Sequence, residues 1–463
     1  MRELTSGRPV KIILVFSLPI ILGSLFQQLY SMIDTVIVGR TIGVDAIAAL
    51  GSTSYISNLL IGFMTGLTNG FSIITARYFG AGDHVKMRRA VAGTVILGLA
   101  VSAVLTVVSC LFLDVFLRLL DTPEEIFDSA RSYIFIILAF MTFAMLYNMS
   151  ASILRAVGDS VTPLLFLIFS SLVNVGLDVL FITRLGMGVR GAAAATVISQ
   201  SASFILCLIY IAVRFRWLLP KGEDFRVKAE EISELLSMGL SMALMFSIVE
   251  MGSLILQRAI NNFGTAIIAA HTAARKISSI LMLPYSALGS ACATFCSQNM
   301  GAGRPERVGR GIKSALGLGF IWSGAAVAVG YLGSPFIVRF IAGDADVSII
   351  ETACAYMRVN TPFYFVLAVL VIMRNSLQGL GRKAVPVASS VVECVGKAVV
   401  AFLAAPALGY FGVMISEPCV WILMTILLIA GYVTDKELMS KTVQRQGLLE
   451  ARESEARGKS WQQ

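Results

Sequence analysis

Apolar runs longer than twenty residues recur twelve times along this chain. They lie near 10–38, 46–76, 90–118, 127–154, 162–183, 190–213, 235–258, 266–299, 310–341, 352–378, 384–408 and 411–434, each bounded by charged residues or by Gly and Pro. A bilayer crossing takes about 20 apolar residues. In hydrocarbon every backbone N–H and C=O must be bonded within the protein, and runs of this length can do so only as helices. Only 14% of the 463 residues are charged and 57% are hydrophobic, whereas soluble domains carry about 25% charged residues. The chain is therefore expected to be an all-α polytopic membrane protein. The first run is too long for a signal-peptide core and has no A-x-A site, so it is expected to be retained.

Lys and Arg give the topology. The termini and the even-numbered gaps between helices hold 25 of them, and the odd-numbered gaps hold 7. The basic side of a membrane protein is cytoplasmic. Both termini are therefore expected in the cytoplasm, in a multi-pass protein of the plasma (inner) membrane. This bias also accounts for the net charge of +9, so no nucleic-acid partner is expected.

The chain repeats itself. Gly43-Val-Asp-Ala-Ile-Ala-Ala-Leu aligns with Gly264-Thr-Ala-Ile-Ile-Ala-Ala-His, and without a gap Gly80-Ala-Gly82 aligns with Gly301-Ala-Gly303. Further on, Leu154-Arg-Ala-Val-Gly158…Pro163 matches Leu377-Gln-Gly-Leu-Gly381…Pro386. Six helices separate the copies, and an even number preserves orientation. The predicted architecture is two six-helix bundles related by a pseudo-two-fold axis along the membrane normal. The first lobe spans 1–213, a cytoplasmic linker 214–234, the second lobe 235–434 and a charged cytoplasmic tail 435–463. The Gly-rich turns are read as ordinary helix ends.

Asp34 is the lone acid of its helix, six residues before Arg40. Asp178 lies six before Arg184, and Thr196 six after Arg190. At 1.5 Å per residue all three lie roughly 9 Å below one membrane face. Asn174 shares a helix face with Asp178, four residues away. Carboxylates at one depth in lipid are costly and mark an ion or proton site. Carboxylate, amide and hydroxyl oxygens suit a hard cation such as Na+, and two facing carboxylates can equally hold a proton. Within the repeat, Asp34 pairs with Gly252, Asn174 with Lys397 and Asp178 with Ala401. The acids thus belong to the first lobe alone.

Gln27 and Tyr30 continue the polar stripe of the Asp34 helix, and Pro19 is a candidate kink or bending element. Glu250 and Gln257, on the seventh helix, are candidates for substrate contact or for a second-lobe site. Glu393 and Lys397 are spaced for an ion pair. Glu417 reads as a solvated helix start, and Arg275 and Lys276 as snorkelling or cleft-lining cations. The seven cysteines lie in or beside apolar segments and read as small hydrophobes, and neither His84 nor His271 has metal-ligand spacing. No G-x-x-x-x-G-K-[ST] phosphate loop is present, so ATP-driven transport by this chain alone, like enzymatic activity, is not expected.

Gly80-Ala-Gly82, Gly301-Ala-Gly303, Leu154-Arg-Ala-Val-Gly-Asp-Ser-Val-Thr-Pro163, Asn174-Val-Gly-Leu-Asp178 and Leu377-Gln-Gly-Leu-Gly381 together resemble the bacterial MATE (multidrug and toxic compound extrusion) transporters over about 9–434. The resemblance implies cation-driven export of organic, often cationic and amphipathic, compounds by alternating access. It implies a first-lobe cation site at Asp34, Asn174, Asp178 and Thr196, with Pro19 as the helix-one proline. The coupling ion is Na+ or H+, with no other cofactor, and the expected surroundings are a small-molecule substrate, membrane lipid and a monomeric protein. A second-lobe Glu of some relatives falls on Glu250, but its helix-ten acidic partner is missing, since 352–378 contains no Asp or Glu. A flippase of lipid-linked oligosaccharides and an exporter of one specific metabolite are the alternatives.

Overall fold

Each apolar run is a helix in the computed structural model, which describes residues 4–342 and 346–434. The charged tail expected over 435–463 lies outside the described residues. The spans are α1 (Pro9–Thr41), α2 (Val44–Gly80), α3 (His84–Leu111), α4 (Glu124–Ala139 with Met141–Ala156), α5 (Val161–Arg184), α6 (Val189–Arg214), α7 (Ala229–Asn261), α8 (Thr265–Gly301), α9 (Pro305–Phe340), α10 (Val347–Gly379), α11 (Ala384–Leu408) and α12 (Tyr410–Thr434). α4 is bent by 47° at Phe140, and the other eleven helices are each long and apolar enough to cross a membrane unbroken. α1 remains a single helix through Pro19, which is buried.

The spans form two six-helix bundles, α1–α6 and α7–α12. Their repeat is visible in the backbone. Gly82 and Gly303 follow α2 and α8 with φ of 69° and 66°, and Gly188 and Gly409 precede α6 and α12 with φ of 60° and 63°. This left-handed region is open to Gly at no steric cost, so the repeated glycines enforce the same turns in both lobes. α5 and α11 each loosen into a π turn near the end opposite Pro163 and Pro386, over Val179–Arg184 and Val400–Ala404.

The lobes meet where α2 lies against α7 and α8, and where α1 lies against α8 and α9. Contact is tightest at the Arg-rich end, which carries Arg77, Arg88, Arg89, Arg304 and Arg307. There α2 and α8 cross backbone to backbone: a Cβ at Gly80 would collide with the Gln298 carbonyl, and one at Gly301 with the Arg77 carbonyl. Gly82 and Gly303 end the helices as the sequence suggests, whereas Gly80 and Gly301 allow this close approach. Around the crossing, Ser297 Oγ donates to Ile73 O at 2.6 Å and Gln298 Nε2 to Ala156 O at 2.7 Å. The Leu4 N–H donates to Gln298 Oε1 at 3.1 Å. Leu4, Ile12, Ile13 and Phe16 pack into the core of the second lobe, so the start of α1 belongs to both lobes.

The linker is held on the first lobe at the same end. Asp224, 5% exposed, accepts from Arg88 Nε at 2.9 Å and from the Lys221 N–H at 2.8 Å. Burial works to raise the Asp224 carboxyl, but the Lys221 N–H and the Arg88 guanidinium outweigh it and hold the group below the usual carboxylate range. Glu234 pairs with Arg77 at 3.4 Å and accepts from Tyr78 Oη at 3.1 Å.

Candidate cation site

Asp34 stands on α1 one helical turn after Tyr30, and Asp178 stands on α5 one turn after Asn174. α1 packs along α5, which sets the two carboxyls side by side. Asp178 and Asn174 are 0% and 1% exposed, and Asp34 is half-buried. Among the described residues no hydrogen-bond partner reaches Asp34 Oδ1, either oxygen of Asp178, or either polar atom of the Asn174 amide. Each unmet buried polar atom costs about 1–3 kcal/mol, and more when charged. Unmet acceptors this close together fit a cation, which the two carboxylates and the Asn174 amide oxygen would coordinate.

The neighbouring residues divide clearly. Tyr30 lies beside Gln27, and both Tyr30 and Tyr133 of α4 lie near enough to Asp34 and Asp178 to feel their charges. Tyr133 carries no signal in the sequence, because a tyrosine in an amphipathic helix is unremarkable. Thr196 lies on α6, beside α5, and its hydroxyl donates back to Ala192 O at 3.1 Å. The π turn begins directly after Asp178; such bulges occur often at functional sites.

In the second lobe, Glu250 is exposed on α7, and the Gln257 side chain donates to Asn261 Oδ1 at 2.9 Å. Two ion networks lie deeper. The expected Glu393–Lys397 pair forms at 2.9 Å, and Arg374 adds a second cation to Glu393 at 3.3 Å. Glu417 corrects the sequence reading: it is 8% exposed, pairs with Arg275 and accepts from Tyr356 Oη at 3.1 Å. Arg275, half-buried, reaches into that site with its guanidinium. Burial of either partner alone would leave an uncompensated charge, which explains why the two meet. His271 is buried with Nδ1 at 3.0 Å from Tyr410 Oη, a packing role.

Comparison with known proteins gives a consistent answer. The family model described as MatE matches residues 19–180 and 241–403, once in each lobe. The probable multidrug resistance protein YpnP of Bacillus subtilis is 31% identical over 306 residues, covering 66% of this chain and 68% of its own length. The FAD transporter of Shewanella oneidensis is 23% identical over 427 residues, covering 90% of this chain and 92% of its own length. A solved structure, the outward-facing conformation of a multidrug resistance MATE family transporter of the MOP superfamily, superposes with a TM-score of 0.88 at 23% identity, covering 94% of this chain and 98% of that one. With twelve helices in two repeated bundles and a MatE match in each, this chain belongs to the MATE family of multi-pass membrane transporters.

Proposed function

We propose that the protein is a cation-coupled antiporter of the plasma membrane that exports organic, amphipathic, cationic compounds by alternating access, with Na+ or H+ as the coupling ion. The observation that carries this reading is the pairing of half-buried Asp34 with buried Asp178 beside Asn174, with Asp34 Oδ1, both Asp178 oxygens and the Asn174 amide oxygen lacking partners among the described residues. The Arg-rich end faces the cytoplasm, as the positive-inside bias requires, and the close crossing of α2 and α8 there corresponds to an outward-open state. A cation entering from outside neutralises the acids. The cycle then turns only because the two states of the protein bind that cation with different affinity.

Asp34 and Asp178 supply the charge, and Asn174 an additional oxygen that a metal ion uses and a proton does not. Thr196 joins as a ligand after a rotation of its hydroxyl. Glu250 and Gln257 face the substrate path from the second lobe, and Gln27 and Tyr30 face it from the first. Multidrug export is supported by the names of relatives such as YpnP. An exporter of one anionic metabolite is the second reading, favoured by the FAD transporter relative and by two buried cations, Arg374 and Lys397, on one carboxylate.

Efflux of ethidium from proteoliposomes, with Na+ and pH gradients imposed separately, tests the proposal. Export by the intact protein under one of the gradients, strongly reduced at that same gradient in Asp34→Asn and in Asp178→Asn, is the expected result. Full gradient-driven export by both variants would sink it.

A further inference from the structure

The second lobe repeats the backbone of the first with a different charge pattern. In the register set by Pro163 and Pro386, Asn174 corresponds to Lys397, and in the register set by Arg40 and Arg258 at the ends of α1 and α7, Asp34 corresponds to Gly252. The π turns of α5 and α11, from Val179 and Val400, begin within two residues of each other in the first of these registers. The equivalent positions face each other here too: a Cβ at Gly252 would meet Lys397 Cδ at 3.2 Å. Lys397 is 5% exposed, and its ammonium donates to Glu393 Oε1 at 2.9 Å and to Ser253 Oγ at 3.0 Å. Ser253 is the residue after Gly252, so the ammonium bonds to the helix that in the first lobe carries Asp34.

Glu393 already has a partner in Arg374, at 3.3 Å. Lys397 therefore adds a second positive charge to a pair that is complete without it. Among the described residues, the one other carboxylate near enough to feel that charge, Glu417, is already paired with Arg275. A residue kept only for packing would be apolar there, since buried charges are costly even when paired. The first lobe thus has two acids and no cation at this place, and the second has two cations on one acid.

Resting on the first-lobe reading above, we infer that Lys397 is a tethered cation: its ammonium permanently takes the place in the second lobe that an exchangeable cation takes in the first. Lys397 is a positioning residue. It fixes the charge of the second lobe through the cycle and leaves the first lobe as the one that senses the ion.

The test uses the purified full-length protein in nanodiscs and n-propylammonium, which has the atoms that Lys397→Ala removes. In Asp178→Asn, where the first-lobe site is silenced, the amine is expected to leave Tm unchanged. In Asp178→Asn/Lys397→Ala, Tm is expected to rise with the logarithm of amine concentration, with choline chloride at equal ionic strength giving no rise. No rise, or an equal rise with Lys397 intact, overturns the assignment. If Lys397→Ala does not fold, Lys397→Arg and Lys397→Met are compared in ethidium efflux. Lys397→Arg is expected to keep the wild-type rate and Lys397→Met to lose about tenfold or more, and wild-type efflux by Lys397→Met overturns the assignment. A rise in the Tm of the intact protein with Na+ or with acidification, lost in Asp178→Asn, tests the first-lobe reading independently of amine rescue.

Discussion

Asp34 and Asp178 would repel each other strongly if both were ionised and bare in a medium of low dielectric. A bound cation relieves that repulsion, so each carboxylate is expected to matter for affinity. Neutralising either one removes a charged contact of about 1.5–3 kcal/mol. Asp34→Asn and Asp178→Asn should therefore weaken cation binding roughly ten- to a hundredfold, read as the cation concentration giving half-maximal efflux; unchanged midpoints would exclude both as ligands. Asn174→Ala tells the two ions apart. It is expected to lower a Na+ response by about tenfold and to leave a proton response intact, because only the metal ion needs the extra oxygen. That Asp34, Asn174 and Asp178 form a candidate group was legible in the sequence because acids in lipid have few innocent explanations. Tyr133 was not, since nothing in its own helix marks it. Glu417 misled for a different reason: its partner Arg275 is 142 residues away, and the acid looks solvated until the fold joins them.

The helices themselves were readable nearly to their ends, because apolar length and glycine turns are local signals. The crossing of α2 and α8 was not, because Gly80 and Gly301 take their meaning from the opposing backbone. A side chain there has no room, and overpacking of this kind costs about 1–3 kcal/mol. Gly80→Val is expected to hold the Arg-rich end apart and shift the protein away from the closed seam. Spin-label distances between α2 and α8 near that end should lengthen in Gly80→Val; an unchanged distribution would show that the crossing tolerates the added bulk. Pro19 leaves α1 unbroken in this state, and the start of α1 packs on the second lobe. Opening the seam must therefore either carry that start along with the second lobe or bend α1.

At the scale of the whole molecule, the linker ties itself to the first lobe through Asp224 and Arg88. The Asp224 carboxyl is held below its usual range in the fold, so its contribution is present above the unfolded value of about 3.9 and is lost as pH falls below it. Asp224→Asn is expected to lower stability by about 1–3 kcal/mol at pH 7. Its thermal midpoint should converge with that of the intact protein as the pH is lowered through 4 to 3; a gap independent of pH would mean that charge plays no part.

The orphaned acids stand on one side of the pseudo-two-fold axis only. Under the proposed coupling, that asymmetry sets how hard the protein can pump. A membrane potential of 100 mV yields about 2.3 kcal/mol for each charge moved across it, enough to hold a neutral compound at roughly a fiftyfold concentration ratio. On the proposed coupling, one cation loaded per turnover lets the potential add that factor to the cation's own concentration ratio for a neutral compound. Exchange for a singly charged cationic compound moves no net charge and leaves the cation's concentration ratio alone as the limit, however tightly the substrate binds. Steady-state accumulation against a clamped potential would measure the limit directly.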